Sequence, residues 1–227
     1  MKKAYFCIDG FSFKRINDFY RYEHKRRSRL NLAAMETLLR YEIERRFEWK
    51  SDIEHLEIEK HFYHPSEKPT GAGREAEDAI LKFERHLADS GFAVHYAKRP
   101  NVLDPKPNEN IFSDWIIANE LRKYDIFILL STQGQYANIL RQTMLCKIPS
   151  ILIGWNSPCR NSSGESSRWK TDKNLIGYAS AYCPLEKTLE QTNSKHSFAD
   201  IMFEKFFTSG FQPFVSSPKY PLSQRCG

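Results

Sequence analysis

The chain has 227 residues, enough for one α/β domain with a sizeable core, and 41% hydrophobic with 14% aromatic content argues against a disordered chain. Residues 1–50 hold 13 Lys and Arg against 7 Asp and Glu, which already accounts for the formal net charge of +6 and points to an anionic partner, nucleic acid before membrane surface. With no apolar run of transmembrane length and no signal-peptide pattern, the expectation is a cytoplasmic protein without membrane contact.

The first element is the apolar run Ala4-Tyr5-Phe6-Cys7-Ile8, which reads as a buried strand ending abruptly at Asp9-Gly10. In an open parallel sheet this places Asp9 at the carboxyl edge, where ligands bind. Lys14 to Arg29 follows, with Lys14, Arg15, Arg26 and Arg27 among its cations and Phe19, Tyr20 and Tyr22 among its rings. Cations tracking phosphates beside rings that stack on bases are a recipe for single-stranded nucleic acid; a solvated loop is the plainer reading.

Asn31 opens a helix with Leu32, Met35, Leu38, Leu39, Ile43 and Phe47 at helical spacing, and Ile53 to Tyr63 alternates as a strand. His55, His61 and His64 lie on or beside it without a ligand pattern. Pro65 to Arg74 is a Gly/Pro-rich loop lacking the Lys-Ser/Thr pair of a phosphate loop. A helix carrying Ala76, Ala79, Ile80, Phe83 and Leu87 ends at Ser90-Gly91, and Phe92 to Tyr96 is a short strand. After a polar loop from Lys98 to Asn110, Ser113 or Asp114 is placed to cap a helix carrying Trp115, Ala118 and Leu121. Asp125 precedes the buried strand Ile126–Leu130, on the edge opposite Asp9, where a structural role is expected. Ser131-Thr132-Gln133-Gly134-Gln135-Tyr136 turns into a helix through Leu140 and Met144, followed by strand Ser150–Ile153.

Trp155 to Thr171 reads as a mobile loop, Leu175 to Tyr182 as a helix turn and edge strand, and His196 to Thr208 as a helix before an aromatic, proline-rich tail. The cysteines Cys7, Cys146, Cys159, Cys183 and Cys226 have no metal spacing; Cys7 and Cys146 are expected to be buried free thiols. Alternating strands and helices predict an α/β fold with a mostly parallel sheet, gathering Asp9, the loop before Asp114 and the Ser131–Gln135 turn on one edge.

Asp9-Gly10-Phe11-Ser12-Phe13, the Asp114 helix and the strand ending in Ser131–Tyr136 resemble the NYN (LabA-like) domains of the PIN-like nuclease superfamily, over about residues 4 to 185. The resemblance implies a three-layer α/β/α, PIN-like (Rossmann-like) domain over 1–185, leaving 186–227 as a C-terminal helix and tail on the domain or on a partner. It also implies RNA as substrate and carboxylates holding Mg²⁺ or Mn²⁺, a hard ion that takes oxygen ligands and activates water beside a phosphate. Asp9 and Asp114 match the metal-holding aspartates and Glu120 a supporting acid. Lys14, Arg15, Arg26 and Arg27 of the basic stretch are expected to bind the RNA backbone, and Ser12, where the family commonly has Asn, together with Ser131, Gln133 and Gln135, to contact the nucleic acid at the edge.

The chain departs from the family at the turn, where Gln133 and Gln135 stand in place of two acids. Three readings stay open. A metal-dependent ribonuclease leads, with its site re-equipped by Asp104 or Glu109; a non-catalytic RNA-binding relative comes second; a nucleotide-binding regulator comes last. A homo-oligomer is left open.

Overall fold

The computed structural model describes residues 1–24, 26–49, 53–65, 74–96, 110–120, 123–160, 166–190 and 201–205. Short segments, most apolar in β1, β5 and β6, form the centre: β1 (Lys3–Asp9), β3 (Glu57–Tyr63), β4 (Phe92–His95), β5 (Ile126–Leu130), β6 (Ser150–Gly154) and β9 (Ala181–Pro184). They pair in the order β4-β3-β1-β5-β6-β9, every pair parallel. All residues of β5 and β6 are buried, as expected for strands covered on both faces.

Alternation along each strand sends side chains to two cores. Ala4, Phe6, Ile8, Ile128, Leu130 and Ile153 join one, closed by α1 (Gly10–Asp18), α2 (Met35–Arg46), α3 (Arg74–Asp89) and α7 (Leu185–Glu190). Tyr5, Cys7, Tyr63, Phe127, Leu129 and Leu152 join the other, under α4 (Asn110–Glu120), α5 (Ala137–Leu145) and α6 (Lys173–Tyr178). The fold is thus the expected three-layer α/β/α arrangement. On α2, Met35, Leu38, Leu39 and Ile43 are fully buried, each contributing about 1.5–3 kcal/mol. Arg40 fixes the same helix by donating to the carbonyls of Ile53 (2.6 Å) and Leu56 (2.9 Å).

The chain runs from β1 outward through β3 and β4, then returns to the other side of β1 with β5. The strand order therefore reverses between β1 and β5, and their carboxyl ends flank the crevice where such sheets bind ligands. Asp9 ends β1 and Ser131 follows β5. At the opposite edge, Asp125 accepts from the Lys3 backbone N–H (2.8 Å) and from Lys2 Nζ (3.0 Å), tying β1 to the start of β5.

Several local expectations need correction. The basic stretch is not a loop at its start but α1 and a π-helical turn, Phe19–Glu23, followed by the short strand β2 (Ser28–Leu30). The second strand begins at Glu57, after a single turn at Ile53–His55. Helix α4 starts at Asn110, so Asp114 lies inside it rather than capping it. Within the expected loop Trp155–Thr171, β7 (Ser157–Arg160) and β8 (Ser166–Trp169) form an antiparallel ribbon. Residues 203–205 are not helical: β10 (Phe203–Lys205) pairs antiparallel with β2, and Met202 beside it is fully buried. Cys146 is exposed, whereas Cys7 and Cys183 are buried free thiols. The loop carrying Asp104 and Glu109 and the tail beyond residue 205 lie outside the described residues.

Candidate functional site

Asp9 is the N-cap of α1. Its carboxylate accepts from the backbone N–H groups of Phe11 (3.1 Å) and Ser12 (3.3 Å), satisfying helix-start donors that have no partner inside the helix. Gly10 is required here because a Cβ would stand 2.6 Å from the Tyr63 carbonyl oxygen, a backbone atom that cannot yield.

Hydroxyls complete the surround. Ser12 Oγ (2.7 Å) and Ser131 Oγ (3.0 Å) donate to Asp9 Oδ2, and the Tyr136 hydroxyl reaches Oδ1 at 3.5 Å. Behind them, Ser12 Oγ accepts from the Thr132 N–H (3.0 Å) and lies 3.1 Å from Thr132 Oγ1. Thr132 Oγ1 accepts from Gln133 Nε2 (3.1 Å) and from the Trp169 indole N–H (3.2 Å), while Ser131 Oγ accepts from the Gln133 N–H (3.1 Å). With the Thr132 proton assigned to Ser12, every proton runs toward the carboxylate. Asp9 is 1% exposed, and burial raises its pKa above the ordinary carboxylate value, while the Ser12 and Ser131 hydroxyls and the two backbone N–H groups pull it back.

Asp114 belongs to a different network. Its Oδ2 accepts from the Tyr63 hydroxyl (3.1 Å) and lies 3.6 Å from His95 Nδ1. Tyr63 and Tyr5 share a hydrogen bond between their hydroxyls at 2.8 Å. Tyr5 is level with Glu59 and Tyr63 with Asp9, so the two phenols start four residues apart, about 13 Å along the sheet. Their hydroxyls meet only if the two rings lean toward each other, Tyr5 toward the carboxyl edge and Tyr63 away from it. The Tyr63 hydroxyl, and Asp114 with it, is therefore drawn inward from the carboxyl edge, over the row of Cys7 and His61. Accordingly, Asp114 adds to the burial that raises the Cys7 thiol pKa.

The same network extends through histidines. His95 Nε2 is 2.9 Å from His61 Nδ1, and His61 stacks on Tyr5 with ring centroids 4.3 Å apart. Burial lowers the His61 pKa to about 4, with His95 adding to the effect. His61 Nε2 stands 3.2 Å from Glu59 Oε1 but makes no hydrogen bond. A neutral ring out of line is not an ion pair. Glu59 is instead held by Lys123 (3.2 Å) and by the Tyr124 hydroxyl.

The expected nucleic-acid residues separate into three groups. Ser12 and Ser131 are buried around Asp9, while Gln133 is half-buried beside them and Gln135 is exposed. Lys14 is exposed and paired with Asp18 one turn on. Arg26 and Arg27 are exposed; Arg26 lies over the Phe203 ring, and the Arg27 guanidinium donates to the Tyr22 carbonyl. Arg15 is nearest the crevice, with its guanidinium carbon 3.6 Å from the Trp169 ring centroid and 4.3 Å from that of Phe11. Glu120 ends α4, and its side chain lies outside the described residues.

Thr132, Tyr136, Trp169 and Asp172 complete the site, and sequence reasoning missed all four as site residues. Asp172 caps α6 and donates its backbone N–H to the Thr132 carbonyl (3.2 Å). A Cβ at Gly134 would lie 2.5 Å from Asp172 Oδ2, so a larger residue here requires the Asp172 side chain to shift. The sequence signal available was the invasion of a Ser/Asn-rich stretch by a single Trp-Lys-Thr-Asp run.

Among the described residues the donor set does not fit a Mg²⁺ or Mn²⁺ centre. Such an ion takes oxygen ligands with charge behind them. Asp9 has its lone pairs engaged by N–H and O–H donors, Asp114 Oδ2 accepts from Tyr63, the turn itself offers amides and hydroxyls, and the Asp172 carboxylate beside it caps α6. Among the described residues no group of three His, Cys, Asp or Glu side chains is disposed to hold a metal ion. Nor is any described helix long and apolar enough to cross a membrane.

No protein-family model matches the sequence, and no curated protein matches it. The fold is similar to the crystal structure of a protein of unknown function from Vibrio parahaemolyticus. That protein is 14% identical, with a TM-score of 0.52 over 81% of this chain and 93% of its own. At this identity the likeness shows the fold alone.

Proposed function

We propose that this chain is an RNA-binding protein of NYN-like architecture whose acidic edge serves as a binding surface without phosphodiester hydrolysis. The observation that carries the reading is the closed hydrogen-bond surround of Asp9 at the β1–β5 crevice. Its carboxylate organises the start of α1 and the Ser131–Tyr136 turn, a structural use of an acid that a metal-dependent nuclease leaves open to the ion. Gln133 and Gln135 support the same reading, because an amide oxygen brings no net charge to a divalent ion. The basic N-terminal stretch supplies phosphate attraction, and Arg15 stands beside the crevice.

The hydrolytic reading has one supporting observation: Asp172, which the sequence did not single out, packs against the same turn. A titration of single-stranded RNA against rising salt, in Mg²⁺, in Mn²⁺ and in chelator, separates the two. Binding-only function gives affinity that falls steeply with salt, with log K dropping about 0.7 per log unit of salt for each phosphate contacted. It also gives no response to chelator and intact RNA. Mn²⁺-dependent cleavage that disappears in Asp9→Asn would overturn the binding-only reading in favour of the hydrolase.

A further inference from the structure

Phe11, Arg15 and Trp169 form a cluster that the surround of Asp9 does not require. Phe11 and Arg15 are four residues apart on α1 and so share a helix face just beyond the carboxyl end of β1. Trp169 arrives from elsewhere. It is the last residue of β8, in the ribbon that stands apart from the central sheet, and its indole N–H anchors it to Thr132.

All three residues are half-buried, with Arg15 Nη1 itself shielded from solvent. The Arg15 guanidinium, a flat cation 3.6 Å from the Trp169 centroid, occupies the stacking position that a nucleobase takes on an aromatic ring. Gln133 lies at the same place, its amide nitrogen bonded to the threonine that holds Trp169. An amide there can meet the hydrogen-bonding edge of a base.

We infer that Trp169, with Phe11, is the stacking platform for one unpaired base of a single-stranded RNA. The base replaces the Arg15 guanidinium over Trp169, and Arg15 turns to the adjoining phosphate. Ring faces and a cation in one place match a nucleotide unit better than a bare polyanion, which needs no rings. A paired base is already stacked in its helix, so the site selects single strands. The inference rests on the RNA-binding reading above and adds the element that recognises the base.

The test compares labelled single-stranded RNA with inorganic polyphosphate, a polyanion without bases, on the full chain. Trp169→Ala weakens RNA binding about tenfold while polyphosphate binding is unchanged. Trp169→Phe keeps a ring but loses the hydrogen bond to Thr132, and it retains RNA binding within about threefold. Should Trp169→Ala fail to fold, Phe11→Leu carries the same expectation of selective RNA loss. Wild-type RNA affinity in Trp169→Ala overturns the platform alone. So does an equal loss of RNA and polyphosphate, or a Phe variant as weak as the Ala variant. A wild-type chain that binds no RNA removes the RNA-binding reading and this inference together.

Discussion

Replacing Asp9 by alanine and by asparagine separates its structural work from its charge. Alanine removes the N-cap of α1, worth about 1 kcal/mol. It also takes the acceptor from the buried hydroxyls of Ser12 and Ser131, each about 1–3 kcal/mol if left unmet. The two hydroxyls stand 3.4 Å apart and can partly satisfy each other, so the combined loss is about 2–4 kcal/mol. Asparagine keeps one acceptor oxygen and removes a desolvated charge, but its NH2 takes the place of an oxygen that accepts N–H and O–H donors, so hydroxyls must turn and it loses about 1–2 kcal/mol, less than alanine. Urea unfolding at pH 7, with a common slope, reads both as midpoint shifts. A pH series adds an independent check. Burial raises the Asp9 pKa, so the folded state favours its protonated form. That stability is present below the ordinary carboxylate pKa and is lost as pH rises through the folded value. Wild type therefore loses stability relative to Asp9→Asn as pH climbs from about 4 toward neutrality. Equal midpoints for the alanine and asparagine variants, or a difference from asparagine that ignores pH, would refute the buried, hydrogen-bonded carboxylate.

Two further substitutions test the neighbouring elements. His61 has a pKa lowered to about 4, so its contribution is present above the ordinary imidazole value and is lost as pH falls from 6.5 toward 4. His61→Phe keeps a ring against Tyr5 and flattens the stability profile in that window; His64, also held at about 4, retains a residual slope, and an unchanged profile removes His61 from the account. Gly134→Ala drives a Cβ toward Asp172 and destabilises by about 1–3 kcal/mol. In the Asp172→Ala background much of that loss disappears, and purely additive effects in the double-mutant cycle exclude the contact.

The sequence made the edge legible because its signals are local. An apolar run stopping at Asp9-Gly10, and another stopping at Ser131, mark strand ends whatever the rest of the chain does. Alternation of strands and helices then dictates a parallel sheet, and the structure adds only the reversal between β1 and β5 that makes one crevice special. The ribbon β7–β8 was not legible, since Ser157-Pro158-Cys159-Arg160 and Ser166-Ser167-Arg168-Trp169 lack the period-two hydrophobic pattern of a half-buried strand. For β10 a misleading local pattern won: Phe198, Ile201, Met202 and Lys205 fall at helical spacing, yet residues 203–205 pair with β2. The state of Asp9 was hidden for another reason. Its hydroxyl partners Ser131 and Tyr136 lie more than a hundred positions away, and their direction of donation is a property of packing.

That difference bears on how acids at a sheet edge are read. Asp9 and Asp114 were paired because the topology delivers both toward the same edge, but delivery by the backbone is not convergence of side chains. The Tyr5–Tyr63 bridge sets the outcome. Because the two rings lean toward each other, the hydrogen-bond donor for Asp114 falls toward the row of Cys7 and His61, while the α1 N-terminus holds Asp9 at the crevice. An ion that engaged both acids could take Asp114 through Oδ1 beside the Tyr63 bond on Oδ2, but would have to displace at least one hydroxyl from Asp9. Leaving a buried phenol or serine without a partner costs about 1–3 kcal/mol for each group, which the ion must offset with amide and hydroxyl ligands in place of two carboxylates. A phosphate group with its base faces no such requirement. In the proposed binding mode it would meet Arg15 and the rings of Phe11 and Trp169, which lie outside the hydrogen bonds to the Asp9 carboxylate.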